Sequence, residues 1–298
     1  MPHDIAARAE FAPAKINLAL HVTGRRADGY HLIDSLAVFT RFGDRIEMAE
    51  ADEDSFSVSG SFADTVPTDG TNLVIRARDA LRAALPHASA RVAIRLEKNL
   101  PVASGVGGGS SDAAATLRGL ARLWDLDAGE ERLSDIAAQL GADLPMCIAA
   151  RPLVARGTGD ELAPVAGFPT LGLVLVNPGT PVSTPAVFSA LAKRDNESLP
   201  ALPSRIDFHT LRNWLENTRN DLEDAAQAIE PSIGAAKAAL ERAGAAFARM
   251  SGSGATCFGL FESGNMAKRA AAAIRSRHPG WFVAATRSMP SEGVDGQD

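Results

Sequence analysis

The stretch Leu100–Leu120, LPVASGVGGGSSDAAATLRGL, places Gly105, Gly107, Gly108 and Gly109 between a strand-like segment and a run of strong helix formers. Glycine adopts positive φ without steric cost and lets backbone approach a ligand closely, while the unpaired N–H groups of a helix start attract anions. A glycine-rich connection in that position reads as a phosphate cradle. It is not a Walker A loop, which closes on GK[ST], and Ser110 stands where a dinucleotide fingerprint needs its third glycine. Ser110 and Ser111 add hydroxyls that can donate to phosphate oxygens or reach a magnesium ion. The plainer alternative is a flexible loop with a serine N-cap. The tight placement between strand and patterned helix favours the cradle.

Outward from this loop, RVAIRLEKNLP (91–101) reads as a strand and DAAATLRGLARLWDL (112–126) as a helix. Upstream, KINLALHV (15–22) alternates Ile16, Leu18 and Leu20 with Asn17, Ala19 and His21, the period of a half-buried strand. HLIDSLAVFT (31–40) and DRIEMAE (44–50) read as further strands. Leu73, Ala77, Ala80, Leu81 and Leu85 share one face of a helix over 72–85 that stops before Pro86. From about Gly167 the chain restarts with the strand LGLVLVN, an irregular NPGTPVSTP and a proline-containing connection. Helix (233–244), strand, SGSG turn, strand, helix (266–278) and strand follow, the βαββαβ order of a ferredoxin-like unit. The expected class is α+β, in two domains of residues 1–160 and 161–298, with a polar, frayed end at PSEGVDGQD.

Composition narrows the functions that remain. Of 298 residues 46% are apolar and 22% charged, so a buried core is affordable and disorder is not indicated. Thirty basic against thirty-six acidic side chains leave a net charge of −6, which does not suit a nucleic-acid partner. Cys147 and Cys257 fit neither a disulfide framework nor a zinc spacing and read as small buried apolar groups. The first fifteen residues carry Asp4 and Glu10 and no apolar core of a secretory signal, so the expectation is cytoplasmic. No apolar run approaches the roughly 18 residues a membrane span requires. No membrane association and no obligate protein partner are indicated. His3, His87, His209 and His278 have no expected functional role.

Three segments together resemble the GHMP small-molecule kinases: APAKINL (12–18), PVASGVGGGSSDAAA (101–115) and MSGSGATCF (250–258). More narrowly, APAKINLALHVTGRRADGYHLIDSL (12–36), LGADLPMCI (140–148), GTGDELAPV (157–165) and NPGTPVSTPAVF (177–188) resemble the members acting on 4-diphosphocytidyl-2-C-methyl-D-erythritol. Ser104 and Val106 depart from the Gly and Leu common there. The resemblance implies an N-terminal domain like the second domain of ribosomal protein S5 and a ferredoxin-like C-terminal domain. It implies phosphoryl transfer from ATP, with Mg2+, to the tertiary 2-hydroxyl of that small-molecule substrate in isoprenoid-precursor synthesis. ATP would lie on Pro101, Val102, Ala103, Ser104, Gly105, Val106, Gly107, Gly108, Gly109, Ser110 and Ser111. Asp143 would be the general base and Lys15 its cationic partner, orienting the hydroxyl and offsetting charge. Asp143 could serve equally as a helix N-cap, a compatible role.

Tyr30 and Phe188 would sandwich the cytosine, and His31 would read its edge. Asn17, whose alternative is an outward-facing strand residue, would bind substrate near Lys15. Gly252, Ser253 and Gly254 would support the phosphate region, the alternative being a simple hairpin turn. Two other functions compete: a GHMP kinase for another alcohol such as homoserine, mevalonate or a sugar, against which the GYH segment and Phe188 argue, and a nucleotide-binding regulator without catalysis, against which Lys15 and Asp143 argue.

Overall fold

The computed structural model describes residues 8–85 and 90–291. Helix α1 ends at Ala84 with Leu85 as its C-cap, before Pro86 as expected; residues 1–7, with His3 and Asp4, Pro86 and His87, and most of the polar end lie outside the described residues. The elements are β1 (Arg8–Arg25), β2 (His31–Glu50), β3 (Ser55–Ser59), α1 (Leu73–Ala84), β4 (Val92–Glu97), α2 (Gly108–Leu123), α3 (Glu130–Ala138), α4 (Leu144–Ala149), β5 (Leu153–Gly157), β6 (Glu161–Pro164), β7 (Gly172–Asn177), α5 (Thr184–Ser189), α6 (Phe208–Glu216), α7 (Glu223–Ile229), α8 (Ser232–Arg242), β8 (Phe247–Met250), β9 (Cys257–Phe261), α9 (Gly264–Arg277) and β10 (Phe282–Arg287). The two strands expected over 31–40 and 44–50 are one strand, β2.

Two compact units divide the chain. The first holds the chain through Ala14, Gly43–Val102 and Gly107–Ala149; the second holds Lys15–Phe42, Ala103–Val106 and the chain from Ala150 onward. In the first unit the far half of β2 pairs antiparallel with β4, Arg45 opposite Glu97, and β3 lies parallel to β4. Helix α1 packs on α2, and α2 and α3 pack on α4. Helix α1 starts where Asn72 accepts the Val74 N–H at 2.8 Å. Its buried face is Val74, Ala77 and Leu81; Ala77 and Leu81 belong to the expected stripe, whose Leu73, Ala80 and Leu85 are half-buried at its flanks.

In the second unit β5 pairs with the near half of β2 and with β6. A separate four-stranded antiparallel sheet runs β10-β7-β9-β8. Numbering its strands by sequence gives the order 4-1-3-2, and with α8 and α9 as its crossover helices this is the ferredoxin-like arrangement. Helices α5, α6 and α7 are inserted before α8. The central strand β7 is buried at every position, and Val174, Val176, Ile233, Leu240, Phe261 and Ile274 join one apolar core. The class is therefore α+β. No helix among the described residues is long and apolar enough to cross a membrane.

Candidate active site

The glycine loop enters α2 through three residues of left-handed backbone: Ala103 (φ 50°), Gly105 (φ 76°) and Gly107 (φ 63°). Gly107 is the N-cap of α2, and no side chain caps the helix. Ser110 and Ser111 lie inside its first turn, so the serine N-cap alternative does not hold. The first intrahelical bond runs from Ser111 N–H to the Gly107 carbonyl at 2.8 Å, so the preceding amides have no place in the helix ladder. Ser111 is wholly buried, and its Oγ has no hydrogen-bond partner. A sixteen-residue helix that starts uncapped on glycine suits an anion. The helix begins four residues earlier than composition suggested, because the small residues Gly108, Gly109, Ser110 and Ser111 are carried into the turn by the buried remainder of α2.

A buried ionic group braces this helix start within the first unit. Lys98 donates to Asp44 Oδ2 at 2.7 Å and to Asp112 Oδ2 at 2.5 Å. Asp44 Oδ1 also accepts the N–H groups of Asn99 and Leu100, which fixes the entry to the loop. One ammonium cannot balance two carboxylates out of water. Burial, helped by the neighbouring Asp44, pushes the Asp112 carboxyl up to about 8 despite the Lys98 ammonium. Burial alone would lower Lys98, but the two carboxylates outweigh it and hold the ammonium above its ordinary range. Near neutrality Lys98 is thus an ammonium and the Asp112 carboxyl holds its proton. Sequence reasoning missed all three residues; a charged side chain at the end of a strand carries no signal that it will be buried.

The loop's other segment, residues 103–106, packs within the second unit against the turn between β8 and β9. Ser251 Oγ donates to the Gly105 carbonyl at 2.9 Å and accepts the Asn17 N–H at 3.1 Å. Thr256 N–H donates to the Ser104 carbonyl at 3.0 Å, and Lys15 N–H to the Val106 carbonyl at 2.8 Å. A Cβ on Gly105 would strike the Ser251 carbonyl and the backbone of Gly254. This turn is therefore more than a hairpin connection. Gly252 and Gly254 take positive φ (55° and 86°), and Ser253 Oγ lies 2.7 Å from Thr184 Oγ1 at the start of α5.

Strand β1 is buried on both faces from Ala12 to Val22. Asn17, far from facing outward, donates through Nδ2 to Ser35 Oγ at 2.8 Å, and Lys15 is 3% exposed. His21, another residue that alternation would put outside, is buried; its Nδ1 lies 2.8 Å from the Glu197 carbonyl, and its Nε2 accepts the Arg219 N–H. Burial holds its imidazole below the usual range. Asp143 belongs to the first unit, in the turn before α4, where its carbonyl accepts the Cys147 N–H at 3.4 Å. Both cysteines are free and buried, and burial raises the Cys257 thiol.

The three expected base-site residues belong to the second unit. His31 and Phe188 stack on each other, with ring centroids 4.7 Å apart and planes at 28°. Tyr30 is 63% exposed. His31 Nε2 is buried without a hydrogen-bond partner. Burial, with the nearby charges of Arg25 and then Arg194, lowers the imidazole's pKa and keeps it neutral. A neutral ring beside an aromatic face, with an unsatisfied nitrogen, is equipped to read the edge of a planar heterocycle.

Among the described residues no cluster of three or more His, Cys, Asp or Glu side chains could cage a metal. Mg2+ is commonly held by phosphates, water and only one or two protein oxygens. The Ser110 and unpartnered Ser111 hydroxyls at the start of α2 are hard donors of that kind, so the residues present fit such an ion.

A helix-borne glycine loop beside an α+β core, followed by a ferredoxin-like unit, is the construction of a GHMP-type small-molecule kinase. The model of the GHMP kinases N terminal domain matches residues 72–151, and that of the GHMP kinases C terminal region matches residues 198–280. The chain is 69% identical over 293 residues to the 4-diphosphocytidyl-2-C-methyl-D-erythritol kinase of Mesorhizobium japonicum, covering 98% of this chain and 99% of that one. It matches a crystal structure of 4-(cytidine 5'-diphospho)-2C-methyl-D-erythritol kinase with a TM-score of 0.78 and 32% identity, over 94% of this chain and 99% of that one. A homoserine kinase from Cytophaga hutchinsonii shares the fold at TM-score 0.67 and 18% identity, over 97% of this chain and 96% of that one. The chain belongs to the 4-diphosphocytidyl-2-C-methyl-D-erythritol kinases, a family within the GHMP kinases.

Proposed function

We propose that the protein transfers the γ-phosphoryl group of ATP to the 2-hydroxyl of 4-diphosphocytidyl-2-C-methyl-D-erythritol, giving the 2-phosphate and ADP on the methylerythritol phosphate route to isoprenoid precursors. The observation that carries the substrate assignment is the His31–Phe188 stack with its unpartnered Nε2. A homoserine or mevalonate kinase has no base to place there. The exposed Tyr30 ring would close the other face of the cytosine.

Phosphoryl transfer passes through a loose transition state, so the protein mainly aligns groups and stabilises charge. The uncapped amides of α2 hold the triphosphate. Mg2+ held by the phosphates and the Ser110 and Ser111 hydroxyls would neutralise part of the developing charge. The substrate 2-hydroxyl oxygen forms a bond to γ-phosphorus as the bond to the β,γ-bridging oxygen breaks, ADP leaves, and Asp143 accepts the hydroxyl proton late. Lys15 would orient the hydroxyl and offset the developing negative charge; Asn17 and Gly252–Gly254 would support the acceptor and the loop. A sequence division near residue 160 belongs to this reading, and the matches at 72–151 and 198–280 fall on either side of it.

The test is ADP release from ATP and Mg2+ with a panel of alcohols. Turnover is expected with the cytidyl substrate alone; turnover confined to homoserine or mevalonate overturns the assignment.

A further inference from the structure

The hairpin joining β1 and β2 and the C-terminal end of α5 each bring a guanidinium to the His31–Phe188 stack. Arg26 N–H donates to the Tyr30 carbonyl at 2.7 Å, which sets Arg25 directly across from His31. The next pair inward agrees, since a Cβ on Gly24 would lie 3.1 Å from Leu32 Cδ1. Arg25 Nε donates to the Gly29 carbonyl at 3.1 Å, an anchor that leaves its remaining N–H groups for solvent or ligand. From the other wall, Arg194 donates to the carbonyl of Ser189, the residue after Phe188, at 3.0 Å. Its Nε is buried without a partner.

Among the described residues neither guanidinium is paired with a carboxylate. The acidic group nearest in sequence to Arg25, Asp28, is taken up by Arg26 at 2.9 Å and by the Tyr30 N–H. Both charges act on His31, where they help to keep the ring neutral. A nucleobase is neutral and gives no reason for two cations beside it. The diphosphate that follows the nucleoside does, and guanidinium matches phosphate oxygens in charge and in fork geometry.

We propose that Arg25 and Arg194 form a two-sided cationic rim that binds the diphosphate of the nucleoside-diphosphate acceptor, making the enzyme selective for diphosphate-linked over bare cytidine. This rests on the base-site reading above and extends it to the linker between the base and the phosphorylated alcohol. Each side chain contributes a charge-assisted hydrogen bond at a partly wet site.

The experiment is calorimetric binding of cytidine and of CDP to the full chain, with the ATP site saturated by a nonhydrolysable analogue and Mg2+. Wild type is expected to bind CDP at least about tenfold more tightly than cytidine, with the advantage shrinking as salt is raised. Arg25→Gln and Arg194→Gln should each remove about threefold to tenfold of that ratio and leave cytidine binding unchanged. Because Arg194 also anchors the end of α5, Arg194→Lys serves as the second variant, and it should retain more of the ratio than the glutamine. His31→Ala should weaken cytidine and CDP alike. A CDP-to-cytidine ratio unchanged in both arginine variants, or a parallel loss of both ligands, overturns the rim while leaving the base site standing. Failure of wild type to bind either ligand sinks the base-site reading, and the rim with it.

Discussion

Asp143 and Lys15, the two residues proposed to carry the reaction, differ in what the fold does to them. Lys15 enters a strand buried on both faces, its N–H bonded to the Val106 carbonyl, so its stem is fixed by backbone. Asp143 sits half-buried before α4, a helix whose residues are all buried and whose Cys147 and Ile148 carbonyls are taken by Arg118. Asp143→Asn keeps the shape and removes the basicity. Turnover should fall by about a hundredfold or more while ATP affinity stays within about twofold. Steady-state rates paired with nucleotide binding check this, and near-normal turnover assigns the base elsewhere.

Helix α2 shows how the omission of a capping side chain suits a helix start to the phosphate proposed there. Glycine at the N-cap provides no side chain to satisfy the first amides, and the left-handed turns at Gly105 and Gly107 aim the chain into the helix. Gly105 is doubly constrained, by its φ of 76° and by the close approach of the Ser251 carbonyl. Gly105→Ala should therefore cost about 1–3 kcal/mol in stability and weaken ATP binding, because the loop must shift to make room. Chemical denaturation and nucleotide titration measure the two effects; an alanine variant indistinguishable from wild type in both means the close approach is not maintained.

The second unit gathers one apolar core, and the first buries an ionic group whose protonation links its stability to pH. Asp112 titrates near 8 in the folded chain, against an ordinary value of 3.8. Between these values the native state holds a proton that the unfolded chain has released. The contribution is therefore fully present below about pH 4, is lost as pH rises toward about 8, and stays constant above that. Asp112→Asn, which mimics the protonated carboxyl, should flatten this slope and stabilise the protein relative to wild type at alkaline pH. Urea midpoints at about pH 5 and about pH 8.5 decide it. Equal slopes in wild type and variant would mean that Asp112 is ionised throughout, with Lys98 shared evenly between the two aspartates.

Although β3, α3 to α7, β5 and β6 were not read from it, the elements flanking the glycine loop, the ferredoxin-like half, the family and the glycine loop itself were legible in the amino-acid string. They rest on short-range properties: periodicity, helix propensity and the conformational licence of glycine within a few residues. The boundaries of α2, the second buried face of β1, and the positions of Lys98, Asp112, His21, Arg25 and Arg194 were not. Alternation along β1 predicts that Asn17 and His21 face water, yet the Asn17 amide is bonded to Ser35 on β2 with Ser251 taking its backbone N–H, and the His21 ring lies against the Glu197 carbonyl, 176 residues along the chain. Whether a polar side chain is buried depends on what distant chain arrives to satisfy its hydrogen bonds, and no local pattern encodes that arrival. Sequence thus sets which secondary elements form and what chemistry they carry, whereas long-range packing selects which polar groups are shielded, paired or left with an empty valence for a ligand.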